Sequence, residues 1–363
     1  MIRTRAVAGL ILARGGGPYD RALVPGGDPS AESASWAAGT PGVLCFLRRP
    51  SRRGGGRLSL MTQLLSRAHV EAALDLPTAL AALEAGFRTA DRLPPAHRVG
   101  STLPGPGTAM CLLPGLLPDV PAYTVKVNAK FPGATPALRG IVCLHSLADG
   151  ELLALLDSAS VTAWRTGLAA ALATHALAPE QARTVAVIGA GAQSRATLRA
   201  LRTLRPVDEV FAHDLDPDRA AAIGRAVPSA RAAVEAADIV ITATWSREPL
   251  LDADVLRPGL HLTALGFDER GKTELSPALL RASRLVVDDR ALAAASGVLH
   301  GPGPDPDLAV EFADVLRGTV PARPDDRPTV FAPIGLPWQD LALAWPVHLA
   351  ARSAGTAPAF DFH

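Results

Sequence analysis

The chain is short of lysine. Only Lys126, Lys130 and Lys272 stand against 33 arginines, in two polar stretches, Val125–Lys130 and Gly271–Leu275. The alanine-, glycine- and proline-heavy composition points to a coding bias that writes surface cations as arginine, which should have removed lysine too. Lysines that survive such a bias mark positions where guanidinium does not serve, because a primary amine is compact and can lose its proton when desolvated. Chance survival on solvated surface is the alternative for Lys130 and Lys272, whereas the context of Lys126 argues against it.

Other absences narrow the function classes. Three cysteines (Cys45, Cys111, Cys143) without C-x-x-C spacing make neither a disulfide framework nor a zinc site, which fits a reducing, cytoplasmic setting. The nine histidines show no H-x-x-x-H spacing, so no metal is expected. Net charge is only +1 and no basic stripe suggests nucleic acid. No apolar run approaches the roughly 18 residues that span a bilayer.

What is present suffices for two domains, since 363 residues can build two cores. Residues 1–60 look foreign to the rest. They hold nine arginines against three acids, and Gly15–Gly17, Arg48–Pro50 and Gly54–Arg57 lack helical or strand periodicity. Arg14 interrupts what would otherwise resemble a signal peptide. At Met61 the character changes: Val70, Leu74, Leu76, Leu80, Leu83 and Phe87 recur at helical spacing. The expectation is that Met61 is the true start and residues 1–60 are a disordered leader or an over-extended reading frame.

The central stretch reads as nucleotide binding. Thr184–Ile188 is a short β-rich run, Gly189-Ala190-Gly191-Ala192-Gln193-Ser194 a tight turn, and Arg195–Leu204 a helical pattern. Gly189 permits the turn, Gly191 lets the backbone approach a pyrophosphate, and the helix N-terminus offers free N–H groups. A second strand, Glu209–Asp214, ends in an acid 23 residues beyond Gly191, where a carboxylate accepts from ribose hydroxyls. Further strands at Asp238–Thr244, Leu260–Gly266 and Arg284–Asp288 alternate with helices, which reads as a Rossmann-type, doubly wound parallel sheet. Asp214 repels a 2′-phosphate and favours NAD; Arg219 keeps NADP open.

Upstream, Ala122–Lys130 alternates. Tyr123, Val125 and Val127 point one way; Thr124, Lys126, Asn128 and Lys130 point the other. Ser158–His175 reads as a helix carrying Arg165-Thr166, placed to reach a substrate carboxylate and the cofactor phosphates.

These residues resemble the ornithine cyclodeaminase/mu-crystallin family. The match runs in order from Arg98 to Asp340: Lys126; Arg165-Thr166 after Leu155-Leu156-Asp157; Gly189–Gln193; Thr242–Pro249; Gly266–Leu275; and Gly335–Asp340. The resemblance implies a homodimer with a second, α+β substrate and dimerisation domain built from the N-terminal half and the C-terminal helix. The boundaries expected are 61–180 for that domain, 181–328 for the nucleotide-binding domain and 329–363 for the returning segment. It also implies that Arg98, Lys126 and Arg165 hold the substrate carboxylate and polarise the C–N centre, with Asp268 as general acid/base. Thr166, Gly189, Gly191, Ala192, Gln193, Asp214, Thr244 and Ser246 would contact the dinucleotide. The chemistry is consistent: an imine intermediate needs an anchored carboxylate and a proton shuttle at nitrogen. Lys272 is expected to position the Asp268 loop; Asp340 reads as a helix or interface residue, and Asp288-Asp289 as a turn or cap.

The sequence departs from the family in places. Gly167-Leu168 follow Arg165-Thr166 where members show Ala-Ala, and Pro333 replaces a serine. Cys111-Leu112-Leu113-Pro114 lacks the acid that accommodates a diamine's distal amine, which weakens the case for ornithine. The leading expectation is therefore an NAD(P)-dependent oxidoreductase acting on the C–N bond of a small amino or imino acid. Ornithine cyclodeamination and a non-catalytic, cofactor-loaded binding protein are the alternatives.

Overall fold

A computed structural model describes residues 61–362, except residues 90, 91, 93–96, 104, 108 and 302. The expectations for residues 1–60, Cys45 among them, lie outside the described residues. Among those described, fifteen strands form two sheets. The first holds β1 (Thr62–Leu65), β2 (Val99–Ser101), β3 (Ala109–Gly115), β4 (Ala122–Lys130), β5 (Leu138–Ser146) and β6 (Leu152–Asp157). The second holds β7 (Thr184–Ile188), β8 (Glu209–His213), β9 (Arg225–Ala226), β10 (Ile239–Thr242), β11 (His261–Ala264), β12 (Arg284–Val287), β13 (Val310–Glu311) and β14 (Thr329–Phe331). The chain then returns to the first sheet through β15 (Ala359–Phe360).

The helices are α1 (Arg67–Ala73), α2 (Leu76–Thr89), α3 (Ser158–Leu177), α4 (Ala192–Leu204), α5 (Pro217–Ala221), α6 (Ala230–Glu235), α7 (Pro277–Ala282), α8 (Arg290–Ser296), α9 (Phe312–Arg317) and α10 (Trp338–Ala354). None is long and apolar enough to cross a membrane.

The second sheet is parallel throughout, in the order β13-β12-β14-β11-β10-β7-β8-β9. Strands β10, β11 and β12 are buried along their whole length, because helices cover both faces of such a sheet. The chain winds outward from β7 through β8 to β9, then crosses to β10 on the other side. The crevice at that reversal, beyond the C-terminal ends of β7 and β10, is where doubly wound sheets take ligands.

The first sheet runs β15-β1-β6-β5-β4-β3-β2, antiparallel from β2 to β6. On β4 the burial alternates against hydropathy: Thr124, Lys126, Asn128 and Lys130 are buried, while Val127 is exposed. Helices α2, α3 and α10 pack together on the inner, polar side. Helix α3 is buried nearly all round and starts at Asp157, whose side chain accepts from Ser160 N. Gly167 lets α3 lie close to α4, since a Cβ there would sit 2.6 Å from Ala196 Cβ. The start of α10 is wedged by aromatic rings: Trp338 meets Phe87 edge-on at 4.9 Å, and Phe87 meets Phe312 at the same distance.

Candidate active site

Two ion-pair clusters occupy the inner side of the first sheet, and the three lysines of the chain fall within them. The first centres on Lys126, which is 0 % exposed. Its ammonium lies 2.8 Å from Asp340 Oδ1 and 2.7 Å from Oδ2, and 3.4 Å from Thr162 Oγ1. Arg165, on α3, donates from Nη1 to Gln339 Oε1 at 3.0 Å and holds Nε 3.5 Å from Asp340 Oδ1. Burial pushes the Lys126 amine down to about 8; Asp340 opposes this, while the Arg165 and Arg98 guanidiniums press it further down. Two buried cations therefore share a single buried carboxylate, and a third, Arg98, adds its charge to the field at Lys126.

Arg98 donates from Nη1 to Ile334 O and from Nη2 to Asp268 O, both at 2.8 Å, so it ties the loop after β14 to the loop after β11. The former loop is anchored by the buried Asp288, which accepts from Ile334 N and Gly335 N at 2.9 and 2.7 Å. Burial raises the Asp288 carboxyl to about 6 against the pull of those donors. Asp289, its neighbour, is the N-cap of α8. Gly335 has φ +88°, and a Cβ on it would meet the Arg165 guanidinium at 2.2 Å.

The second cluster centres on Asp268. Lys130 Nζ lies 2.7 Å from its Oδ2, and Lys272 Nζ lies 2.7 Å from its Oδ1. Lys130 also reaches Glu269 Oε2 at 3.1 Å, whose other oxygen faces Arg247 at 3.4 Å. Both ammonium groups stand over the half-exposed Trp245 ring, Lys272 at 4.9 Å and Lys130 at 5.7 Å. Burial alone would raise Asp268, but the two lysines outweigh it and hold its carboxyl well below the usual carboxylate range.

At the crevice of the second sheet, Gly189 turns the chain with φ +88°; a Cβ there would strike Ala243 O at 2.6 Å. Gly191, the N-cap of α4, makes no side-chain cap and has nothing within 4 Å of a built Cβ. Ala192 and Gln193 begin the first turn of α4. Thr166 Oγ1, on the helix packed against α4, is buried without a hydrogen-bond partner. Uncapped N–H groups beside open space make a cradle for an anionic phosphate. Asp214 closes the turn by accepting from Ala190 N at 2.6 Å and Asp216 N at 2.9 Å. Arg219 is engaged with Asp216 at 3.3 Å.

Thr244 and Ser246 lie on the rim. Thr244 donates from N and Oγ1 to Glu274 Oε1, at 2.6 and 2.7 Å, and Ser246 N donates to Thr244 Oγ1 at 3.2 Å. Glu274 also accepts from Thr242 Oγ1 and Gly266 N, so one buried acid sets the ends of β10 and β11.

The structure thus brings Lys126 and Arg165 into one cluster and joins Arg98 to Asp268 through the latter's carbonyl. The glycine turn and Asp214 lie at the ends of β7 and β8, whereas Thr244 and Ser246 flank Trp245, over which the lysines of the Asp268 cluster stand, and Ser246 O accepts from Thr273 N at 3.0 Å. Sequence reasoning missed Asp340, which belongs to a helix as expected but is the counter-ion of Lys126. It also left Lys130 without a role. The scarcity of lysine was the signal for Lys130, and the Gly335–Asp340 motif was the signal for Asp340.

The model of the family described as ornithine cyclodeaminase/mu-crystallin matches residues 61–355. Ketimine reductase mu-crystallin of Mus musculus is 31% identical over 255 residues, which span 63% of this chain and 79% of its own. Among solved structures, Δ1-pyrroline-2-carboxylate reductase of Thermococcus litoralis, in complex with NADH and L-proline, has a TM-score of 0.76 at 27% identity, covering 82% of this chain and 99% of its own. An archaeal alanine dehydrogenase dimer with bound NAD has a TM-score of 0.71 at 27% identity, covering 83% and 99%.

Proposed function

The chain belongs to the ornithine cyclodeaminase/mu-crystallin family, and on that premise we propose that it is an NAD(P)-dependent oxidoreductase acting on the C–N bond of an amino or imino acid, as a cyclic imine or ketimine reductase or an amino acid dehydrogenase. The observation that carries this reading is the unbalanced charge around Lys126. Lys126 and Arg165 share one buried carboxylate, Asp340, and the Arg98 guanidinium adds its charge to the field at Lys126. Buried cations in excess are costly unless an anion joins them, so the site suits a substrate carboxylate. Arg165 Nε, buried without a hydrogen-bond partner, is a donor poised for one.

The glycine turn, the uncapped start of α4 and Thr166 fit the pyrophosphate of a nicotinamide dinucleotide, and Asp214 favours NAD. When bound, that group exchanges a hydride with the substrate α-carbon. The chain's own residues do the rest: Lys126, Arg165 and Arg98 anchor the carboxylate and so orient the C–N bond, and Asp268 faces the charge on nitrogen.

On β3, the residues paired with Lys126 and Asn128 are Leu113 and Cys111. Neither is an acid, so nothing there receives the distal ammonium of a diamine, which counts against ornithine. The dimer belongs to the same reading. Val99, Leu112, Val127 and Ile141 are exposed direct neighbours on four successive strands of the first sheet, an apolar row of the kind that marks an interface.

The deciding experiment follows NADH and NADPH absorbance with a panel of cyclic imines and 2-oxo acids plus amine. Oxidation of NADH by a cyclic imine carboxylate is expected. Binding of NADH without oxidation by any of them would replace the enzyme with a binding protein. Proline and ammonia formed from ornithine, without net NADH change, would replace it with a cyclodeaminase.

A further inference from the structure

Lys130 lies four residues beyond Lys126 on the same face of β4, about 13 Å along the strand at ~3.3 Å per residue. It is buried, yet its ammonium reaches out of the substrate sheet to the loop that follows β11. There it takes one oxygen of Asp268 while Lys272, from the same loop as Asp268, takes the other. A proton can join neither oxygen without breaking an ion pair. The remaining charges facing the carboxylate are Glu269, held by Lys130 and Arg247, and Arg98, whose Nη2 is spent on the Asp268 carbonyl.

We propose that Lys130 is a positioning residue that, with Lys272, locks Asp268 as a permanent carboxylate, so that the reaction takes a substrate whose nitrogen already carries its proton. This rests on the reading of Asp268 as the group that faces the C–N centre. The substrate class is then a zwitterion: a carboxylate for the Lys126 cluster and a protonated C=N for Asp268. Reduction needs no proton from the protein. A hydride from the nicotinamide adds to carbon, the C=N π pair becomes the nitrogen lone pair, and the iminium becomes a neutral secondary amine while the cofactor is oxidised by two electrons. Asp268 stabilises the cationic reactant electrostatically and is not consumed.

Two readouts test this. The first needs no turnover. Protonation of Asp268 takes from Lys272 its ion pair beside Trp245 and leaves Lys130 on Glu269 alone, so the fluorescence difference between the protein and its Trp245→Phe variant reports the titration. In the unaltered protein no such transition is expected above about pH 4, the ordinary aspartate value. Lys130→Met should move it up by about one pH unit, and Lys130→Met with Lys272→Met further still, as loss of a neighbouring cation requires. Lys130→Arg, which keeps the charge, should leave it in place.

The second readout is the pH profile of kcat with Δ1-piperideine-2-carboxylate and NADH. The unaltered enzyme should show no acid limb above pH 5, and Lys130→Met should acquire one that Lys130→Arg lacks. Trp245 transitions and acid limbs that coincide in the unaltered, single and double variants would overturn the proposal. Asp268→Asn with full turnover would instead remove the reading beneath it, whatever Lys130 does. If no imine is turned over, the Trp245 titration alone decides the lock.

Discussion

Strand β4 of the first sheet and the central strands of the second use hydrophobicity in opposite ways. In the second, β10, β11 and β12 bury Ile239–Thr242, His261–Ala264 and Arg284–Val287 on both faces, and mostly apolar sequence goes where apolar sequence should. In the first, β4 turns Thr124, Lys126, Asn128 and Lys130 inward and leaves Val127 in solvent. Buried cations survive only when they are paired, and here α10 supplies the partner of Lys126 and the loop after β11 those of Lys130. The outward apolar row is the complement: it is exposed, with nothing among the described residues covering it. A strand that builds a scaffold hides its apolar residues, whereas the strand that builds this site hides its charges.

The sharpest way to break that contrast is to remove the counter-ion. Asp340→Asn leaves Lys126 and Arg165 buried without it, and stability should fall by about 3–5 kcal/mol, read as a lower denaturant midpoint. Lys126→Leu on top of Asp340→Asn should recover part of the loss; no recovery would mean that Asp340 acts through something other than charge. Lys126→Arg keeps the charge but not the compact shape, and kcat/KM should drop on the order of a hundredfold, about 2.7 kcal/mol of transition-state stabilisation. A near-normal rate would refute the role given to this lysine.

The outer row is tested by Val127→Asp with Ile141→Asp. Sedimentation should show the proposed dimer giving way to monomer, with the monomer's helical signal intact; a persisting dimer would move the interface elsewhere. On the second sheet, Gly189→Ala and Gly191→Ala should part company. The first meets Ala243 O at positive φ and should cost about 1–3 kcal/mol of stability. The second enters open space, so it should leave the melting temperature unchanged and weaken NADH binding, measured by fluorescence titration.

The smallest effect is on pH. Because the Lys126 amine is pushed from 10.5 down to about 8, it is charged and able to hold a carboxylate below that pH. The kcat/KM of the free enzyme should therefore decline as pH rises through about 8. Stability should move the other way. Between about 8 and 10.5 the unfolded chain binds the proton that folded Lys126 has lost, so unfolding free energy increases with pH across that window. A flat kcat/KM profile to pH 10 would show that Lys126 stays charged throughout.

Much of the second sheet was legible because its signals are local. A β-rich run, a glycine turn and a helix start need only neighbouring residues, and Gly189, Gly191 and Asp214 each stand where that pattern puts them. The first sheet was legible only in its alternation. Which face of β4 is inner depends on α3 and α10, the latter more than 200 residues away, and periodicity is the same whichever face is covered. Gly167 shows the same limit. In the sequence it is only a departure from the family's alanine; in the structure its missing Cβ is what admits Ala196 and Thr197 of α4.

The sequence by itself determined the parallel nucleotide sheet, its glycine turn and the family, and its scarcity of lysine singled out three amines. Only the tertiary structure decided which carboxylates those amines meet across the fold. It set Lys126 against Asp340 and both Lys130 and Lys272 against Asp268, 214, 138 and four residues apart in the chain. Local patterns report what a residue's neighbours in sequence require of it. An ion pair across a cleft is fixed by packing between distant elements, and that information appears only when the elements meet.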